Sequence, residues 1–177
     1  IDQEGGRVSR LNKIIDLSTF SQEYFGEIYY SNKINFISYY RDHINKISEI
    51  LNYAGININT VPLLDVKSKK GHKIIGDRSF SSSPYIVKKI GNMCIDFYKN
   101  NKIATVIKHI PGHGLAKSDS HYNTPTIKAN KKTLNKKAFY PFKNSKSLFG
   151  MTAHVIYSNY DKKNTATHSS YIIKKII

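Results

Sequence analysis

The densest run of chemically able side chains extends from Lys108 and His109 through Ile110, Pro111, Gly112 and His113 to Gly114, then on to Asp119, Ser120 and His121. It follows Ile103 to Ile107, a short apolar run of strand length. Polar groups gathered at a strand end point to a catalytic or sugar-binding loop; the plainer alternative is a tight Pro-Gly turn with surface histidines. His109 and His113 have the spacing of a helical metal pair, but Pro111 and Gly112 exclude the helix that would align them. Lys117-Ser118 does not complete a phosphate-binding loop, because Ala116 and Pro111 stand where glycines are needed. Asp119 and His121 form the sharpest pair. A carboxylate two residues from an imidazole can hold its tautomer and raise its basicity, which suits proton transfer near neutral pH. Spacing alone leaves open that the two never touch.

Other strand ends carry similar groups. Asp2-Gln3-Glu4-Gly5-Gly6-Arg7, with Arg10 beyond, offers a carboxylate able to accept from vicinal sugar hydroxyls, or a capping Asp beside a surface Arg. In Gly76-Asp77-Arg78, Arg78 is either a ligand donor or the partner of Asp77. Thr152-Ala153-His154 adds a further histidine of either kind.

The elements that must position these groups alternate in period. Phe36, Tyr40, Ile44, Ile47 and Leu51 predict a helix ended by Gly55, and Ile56 to Val61 alternates like a strand that stops at Pro62. Ser83-Pro84 predicts a helix start, with Ile86, Ile90, Met93 or Cys94, and Phe97 as its buried stripe. Ile103 to Ile107 predicts a strand buried on both faces. Leu134, Ala138 and Phe142 predict a helix, Leu148 to Thr152 a strand, and Ser169 to Ile177 a last helix. This is the grammar of a parallel α/β fold, whose strand ends carry the chemistry in a (β/α) barrel. The polar stretch from Val66 to Ser83 reads as a site loop or a flexible excursion.

At 177 residues, 40% of them apolar, the chain suits one domain with a real core. No apolar run is long enough for a membrane-spanning helix, and a single cysteine, Cys94, excludes an internal disulfide. Net charge is +16, yet Lys outnumbers Arg 24 to 4 and the lysines are scattered singly or in pairs. That distribution reads as solvated surface before a nucleic-acid patch. Both ends read as cut: the chain starts at Ile1 inside a motif and stops at Ile177 inside an apolar-periodic stretch.

The whole chain resembles the β-N-acetylhexosaminidases of glycoside hydrolase family 3. The matching stretches, in order, are Asp2 to Val8, Pro62 to Val66, Gly76 to Phe80, Lys108 to Gly114, Asp119 to His121, and Thr152 to Val155. The resemblance implies an α/β fold that is part of a (β/α)8 TIM barrel, with about four central βα units here. Residues 1–177 would then be an N-terminal catalytic domain truncated at both ends. It implies hydrolysis, with retention, of terminal non-reducing β-linked N-acetylglucosamine from peptidoglycan (muropeptide) fragments in the bacterial cytoplasm. His121 would be the general acid/base and Asp119 its partner; Asp2, Arg10, Arg78, Lys108 and His109 would bind the sugar. No metal or organic cofactor is implied, and the partner is the saccharide, not a nucleic acid or a membrane. One departure matters: the family's nucleophile is an Asp of a Ser-Asp-Asp type motif, and after His154 this chain has only Asp161, which matches a loop position. The nucleophile is therefore expected beyond residue 177 and the fragment alone is expected to be inactive. A non-catalytic sugar-binding relative and a basic nucleic-acid-binding protein are the rival readings.

Overall fold

The computed structural model describes residues 1–69, 71–119 and 122–177. Two helices open the fold. Helix α1 (Gln22–Ser31) starts at Ser21, whose side chain accepts the Tyr24 amide, and buries Gln22, Phe25, Gly26 and Tyr29 on one face. Helix α2 (Lys33–Tyr53) buries the stripe that periodicity predicts, Phe36, Tyr40, Ile44, Ile47 and Leu51. It ends before Gly55, which takes the left-handed φ of +71°. Phe36 and Leu51 are fully buried, each contributing about 1.5–3 kcal/mol of hydrophobic stabilisation.

Three strands, β1 (Ile58–Asn59), β2 (Ala104–Ile110) and β4 (Phe149–Thr152), form one parallel sheet in the order β1-β2-β4. A second parallel pair joins β3 (Thr126–Ile127) to β5 (Ile156–Tyr157). The segment at Ile1 runs beside β1: its ammonium donates to the Ile58 carbonyl, and its own carbonyl accepts the Thr60 amide. Helix α3 (Pro84–Asn100) packs on β2; α4 (Lys131–Thr133) and α5 (Ser170–Lys175) flank the second pair, where Leu134 and Ile172 share a core cluster with Ile127 and Tyr157. Parallel strands alternating with helices make this an α/β fold. Among the described residues no helix is long and apolar enough to cross a membrane.

Several expectations are corrected. The strand expected over Ile56 to Val61 is shorter, Ile58–Asn59, with Asn59 buried and Ile58 39% exposed. The Asn59 amide is needed inside, where it bonds the Gln3 backbone and the Tyr98 hydroxyl. The α3 stripe is rotated by about one position. Val87, Ile90, Cys94, Ile95 and Tyr98 are buried, whereas Ile86, Met93 and Phe97 are half-buried. Gly91 sets this rotation, since a Cβ there would lie 2.3 Å from Leu64. Ser83 occupies the N-cap position without a capping bond. Strand β2 is not buried on both faces: Thr105, Ile107 and Lys108 are buried while Ala104 and Val106 are intermediate. The helix expected over Leu134 to Phe142 is the single turn α4, then a wider π-type turn (Leu134–Ala138) and a 3-10 turn (Tyr140–Phe142). Pro141 has no amide hydrogen to continue an α-helix.

His43 on α2 stacks against Phe20 at 5.2 Å, and its ring centre lies 4.7 Å from that of Phe25. Burial, aided by Lys46, lowers its pKa from 6.5 to about 4. The folded chain therefore resists a proton that the unfolded chain accepts, so stability is expected to fall as pH drops from 6.5 towards 4. Urea midpoints across that window should show the decline, and His43→Phe should flatten part of it. An unchanged slope in the variant would refute the assignment.

Candidate active site

A cavity of about 290 Å³ at the C-terminal ends of β2 and β4 is lined by Asp2, Arg10, Arg78, Lys108, His109 and His113, among others. The five residues expected to bind sugar thus share one pocket, although they lie as far apart in sequence as Asp2 and His109. Two other cavities, of about 330 and 380 Å³, contain none of them.

A register shift positions the two β2 residues. Lys108 pairs with Met151 and Ile110 with Thr152, leaving His109 as the extra residue of a bulge. A bulge re-aims side chains that strict alternation would send to opposite faces, and both Lys108 and His109 line the pocket. The loop beyond is tight. Gly112 has a φ of +138°, and a Cβ on it would lie 2.4 Å from the Ala138 carbonyl oxygen. Gly114 is pressed against Val66, whose carbonyl oxygen would lie 2.0 Å from a Cβ. The Tyr157 hydroxyl donates to the Gly112 carbonyl at 2.8 Å.

Charges in the pocket alternate: Arg10, Asp2, Lys108, Glu4, Arg78. Arg10 stands 3.6 Å from Asp2 at the rim, Lys108 is ion-paired with both Asp2 and Glu4, and Glu4 receives Arg78 through two bonds of 2.8 and 2.9 Å. The side chains of Glu4 and Lys108 are each only 2% exposed, whereas Asp2 is 36% exposed. Asp2 Oδ1 accepts from Lys108 and from the Thr60 hydroxyl, while Oδ2 faces Arg10 at 3.6 Å, outside hydrogen-bond distance, and can still accept from a ligand. Burial pushes the Asp2 carboxyl up, but Lys108, Thr60 and Arg78 more than reverse this and hold it below its ordinary 3.8. Burial likewise opposes the charge of Arg78, and Glu4 prevails and raises its pKa.

The alternative reading of Arg78 as the partner of Asp77 is corrected. Asp77 belongs to Arg7, whose Nε donates to it at 2.7 Å while its Nη2 donates to the carbonyls of Lys73 and Ile74. Arg7 thereby ties the loop from Val66 to Ser83 to the first loop. Gln22 supports Arg78 from below, donating to the Arg78 and Leu63 carbonyls at 2.6 and 2.8 Å. Gln3 does the same for Arg10, accepting its amide at 2.8 Å and the Leu11 amide at 3.1 Å.

Asp65 is fully buried and orients both histidines of the loop. It lies 2.7 Å from His109 Nδ1 and also accepts the His113 amide. Burial would raise its pKa, and His109 and His113 together reverse this and lower it. An ionised Asp65 accepts a hydrogen bond from the Nδ1–H of His109 and leaves Nε2 as the second polar atom of that ring. His113 is 4% exposed, and burial lowers its pKa, with Asp65 opposing. Its Nδ1 has no hydrogen-bond partner among the described residues.

Glu4, Asp65 and His113 are site residues that motif reading quoted without a role. A signal existed for Asp65, a carboxylate inside the apolar run Val61 to Val66 and hence one that must be paired. His121, the expected acid/base, and Ser120 lie outside the described residues; the carbonyl of Asp119 accepts the Tyr122 and Asn123 amides. His154 is exposed beside His168 and does not line the pocket. Among the described residues no group of three or more His, Cys, Asp or Glu is placed to share a metal ion.

A parallel α/β fold with an ionic, partly open pocket at its strand ends is the architecture of many sugar-processing domains, and comparison with known proteins narrows it. The profile described as the glycosyl hydrolase family 3 N terminal domain matches residues 1–177, and the chain belongs to that family. Beta-hexosaminidase A of Pseudoalteromonas piscicida is 33% identical over 91% of this chain and 27% of its own length. The beta-hexosaminidase of Nitrosomonas eutropha is 30% identical over 100% of the chain and 51% of its own. Among solved structures, a glycoside hydrolase family 3 beta-N-acetylglucosaminidase from Paenibacillus sp. superposes with a TM-score of 0.85 at 28% identity, covering 99% of this chain and 33% of that one. The chain spans about half the length, or less, of these relatives.

Proposed function

We propose that these residues form the sugar-binding part of a retaining β-N-acetylglucosaminidase, built on part of a (β/α)8 barrel. The supporting observation is the convergence of Asp2, Arg10, Arg78, Lys108 and His109 on one pocket, with Asp2 Oδ2 facing Arg10 at the rim outside hydrogen-bond distance. Asp2 accepts from sugar hydroxyls, Arg10 and Arg78 donate, and His109 presents the ring edge opposite Asp65. The substrate is a terminal β-linked N-acetylglucosamine of a cell-wall muropeptide fragment met in the cytoplasm. His121, held by Asp119, protonates the leaving oxygen while a carboxylate attacks the anomeric carbon. After the aglycone departs, His121 takes a proton from the water that cleaves the glycosyl ester. That carboxylate is supplied by a part of the domain outside these residues. A second reading, a sugar-binding domain with no catalysis of its own, is favoured by one observation: beyond His154 the chain has a single acid, Asp161.

Calorimetric titration with N-acetylglucosamine tests the pocket directly. Asp2→Asn keeps the shape but converts one acceptor oxygen to a donor, and it should weaken binding about tenfold or more, as expected for hydrogen bonds to a charged group. Undiminished affinity in that variant would refute the sugar site.

A further inference from the structure

We infer that Glu4 is a positioning residue of the sugar site: its carboxylate fixes which N–H groups of Arg78 and Lys108 face the ligand. The inference rests on the sugar-binding reading above. The Glu4 side chain, 2% exposed, is absent from the pocket lining, whereas the equally buried Lys108 belongs to it. Both Glu4 oxygens are nonetheless committed to residues that do line the pocket. Oε2 accepts from Arg78 Nε at 2.9 Å, Oε1 accepts from Arg78 Nη2 at 2.8 Å, and Oε1 also pairs with Lys108 Nζ.

These bonds decide the donors that remain. A guanidinium has five N–H groups in one plane, and a carboxylate gripping Nε and Nη2 fixes that plane. A third N–H goes from Nη1 to the Ile74 carbonyl at 3.2 Å, so two remain for a ligand, in set directions. The Lys108 ammonium has three N–H groups. Glu4 and Asp2 take two, and the Thr60 hydroxyl lies at the limit of reach, 3.5 Å. Held by Glu4, the ammonium meets Asp2 at Oδ1, while Oδ2 faces Arg10 Nη2 at 3.6 Å, outside hydrogen-bond distance.

Glu4→Gln breaks this arrangement without changing its size. A glutamine amide has one acceptor oxygen: in the place of Oε1 it keeps Lys108 and one Arg78 bond but turns its NH2 group towards Arg78 Nε, and in the place of Oε2 it turns its NH2 group towards both cations. Arg78 turns in its plane, or Lys108 swings fully onto Asp2 and closes the oxygen that a sugar hydroxyl would use. A purely structural glutamate behaves otherwise. Its loss lowers the melting temperature, and below that temperature every sugar binds as before or weakens by a common factor.

The test is calorimetric titration of the 177-residue protein, its Glu4→Gln variant and its Glu4→Asp variant. The probes are N-acetylglucosamine and its 3-, 4- and 6-deoxy analogues, each used below the melting temperature of the protein in the cell. Glu4→Gln is expected to lose affinity for the parent sugar by about tenfold or more and to lose most of the discrimination between parent and analogues. Glu4→Asp, which keeps the charge but is one methylene short of the two-point grip, should lie between. Wild-type discrimination in Glu4→Gln, or equal weakening for all four sugars, overturns the inference. If Glu4→Gln does not fold, the same comparison on Glu4→Asp decides, and a wild-type pattern there overturns it. A wild-type protein that binds none of the sugars removes the sugar-binding reading and this inference with it; a wild type that binds beside indifferent variants removes the inference alone.

Discussion

His121→Ala is expected to lower turnover of a natural N-acetylglucosaminyl disaccharide by about 10²–10⁴-fold, the usual contribution of a positioned proton donor, with little change in sugar affinity. The measurement requires an enzyme that joins these residues to its nucleophile. Asp119→Asn should reproduce part of the loss, because on the proposed reading the carboxylate sets the tautomer of the imidazole. An aryl N-acetylglucosaminide should suffer less in its first step, since a good leaving group departs without a proton. The contrast between the two substrates is therefore the diagnostic. If His121→Ala hydrolysed the disaccharide at near-normal rate, the acid/base would have to be sought elsewhere. Among the described residues His109 is the first candidate, its ring held by buried Asp65 at 2.7 Å.

How much of the fold and site is legible in the sequence depends on the residue. Helix α2 is readable because its stripe is large and apolar; α1 is not, because its buried face includes Gln22 and Gly26. Strands β3 and β5, of two residues each, are too short for alternation to reveal. The pocket residues are readable as polar groups following strand runs, since parallel strands bring those ends together. Their partners are not. Nothing local says that Arg78 meets Glu4, 74 positions away, while its neighbour Asp77 goes to Arg7. Nor does spacing reveal that a bulge turns His109 to the same pocket as Lys108. Periodicity reads faces, and a buried ionic chain is assembled across faces by long-range pairing.

The 177 residues alone are expected to bind sugar and hydrolyse none. Retention through a glycosyl ester needs a carboxylate about 5–5.5 Å from the acid/base in the two-carboxylate geometry. The chain has twelve acids, and Asp2 is the acid among the residues lining the pocket. Asp2 is a poor nucleophile: Lys108 and Thr60 occupy one oxygen, Arg10 faces the other, and its charge is already stabilised by these cations. Asp65 is fully buried and committed to His109 and His113. Asp161 closes its own loop by accepting the Lys163 and Asn164 amides, bonds that hold its carboxyl far below the ordinary value. Glu4 is enclosed between two cations. Incubation with a fluorinated N-acetylglucosaminide that traps glycosyl esters should therefore leave the protein mass unchanged, and release of nitrophenol from an aryl substrate should match buffer. An adduct mapped to Asp2, Asp65 or Asp161 would overturn this expectation and place the nucleophile inside these residues.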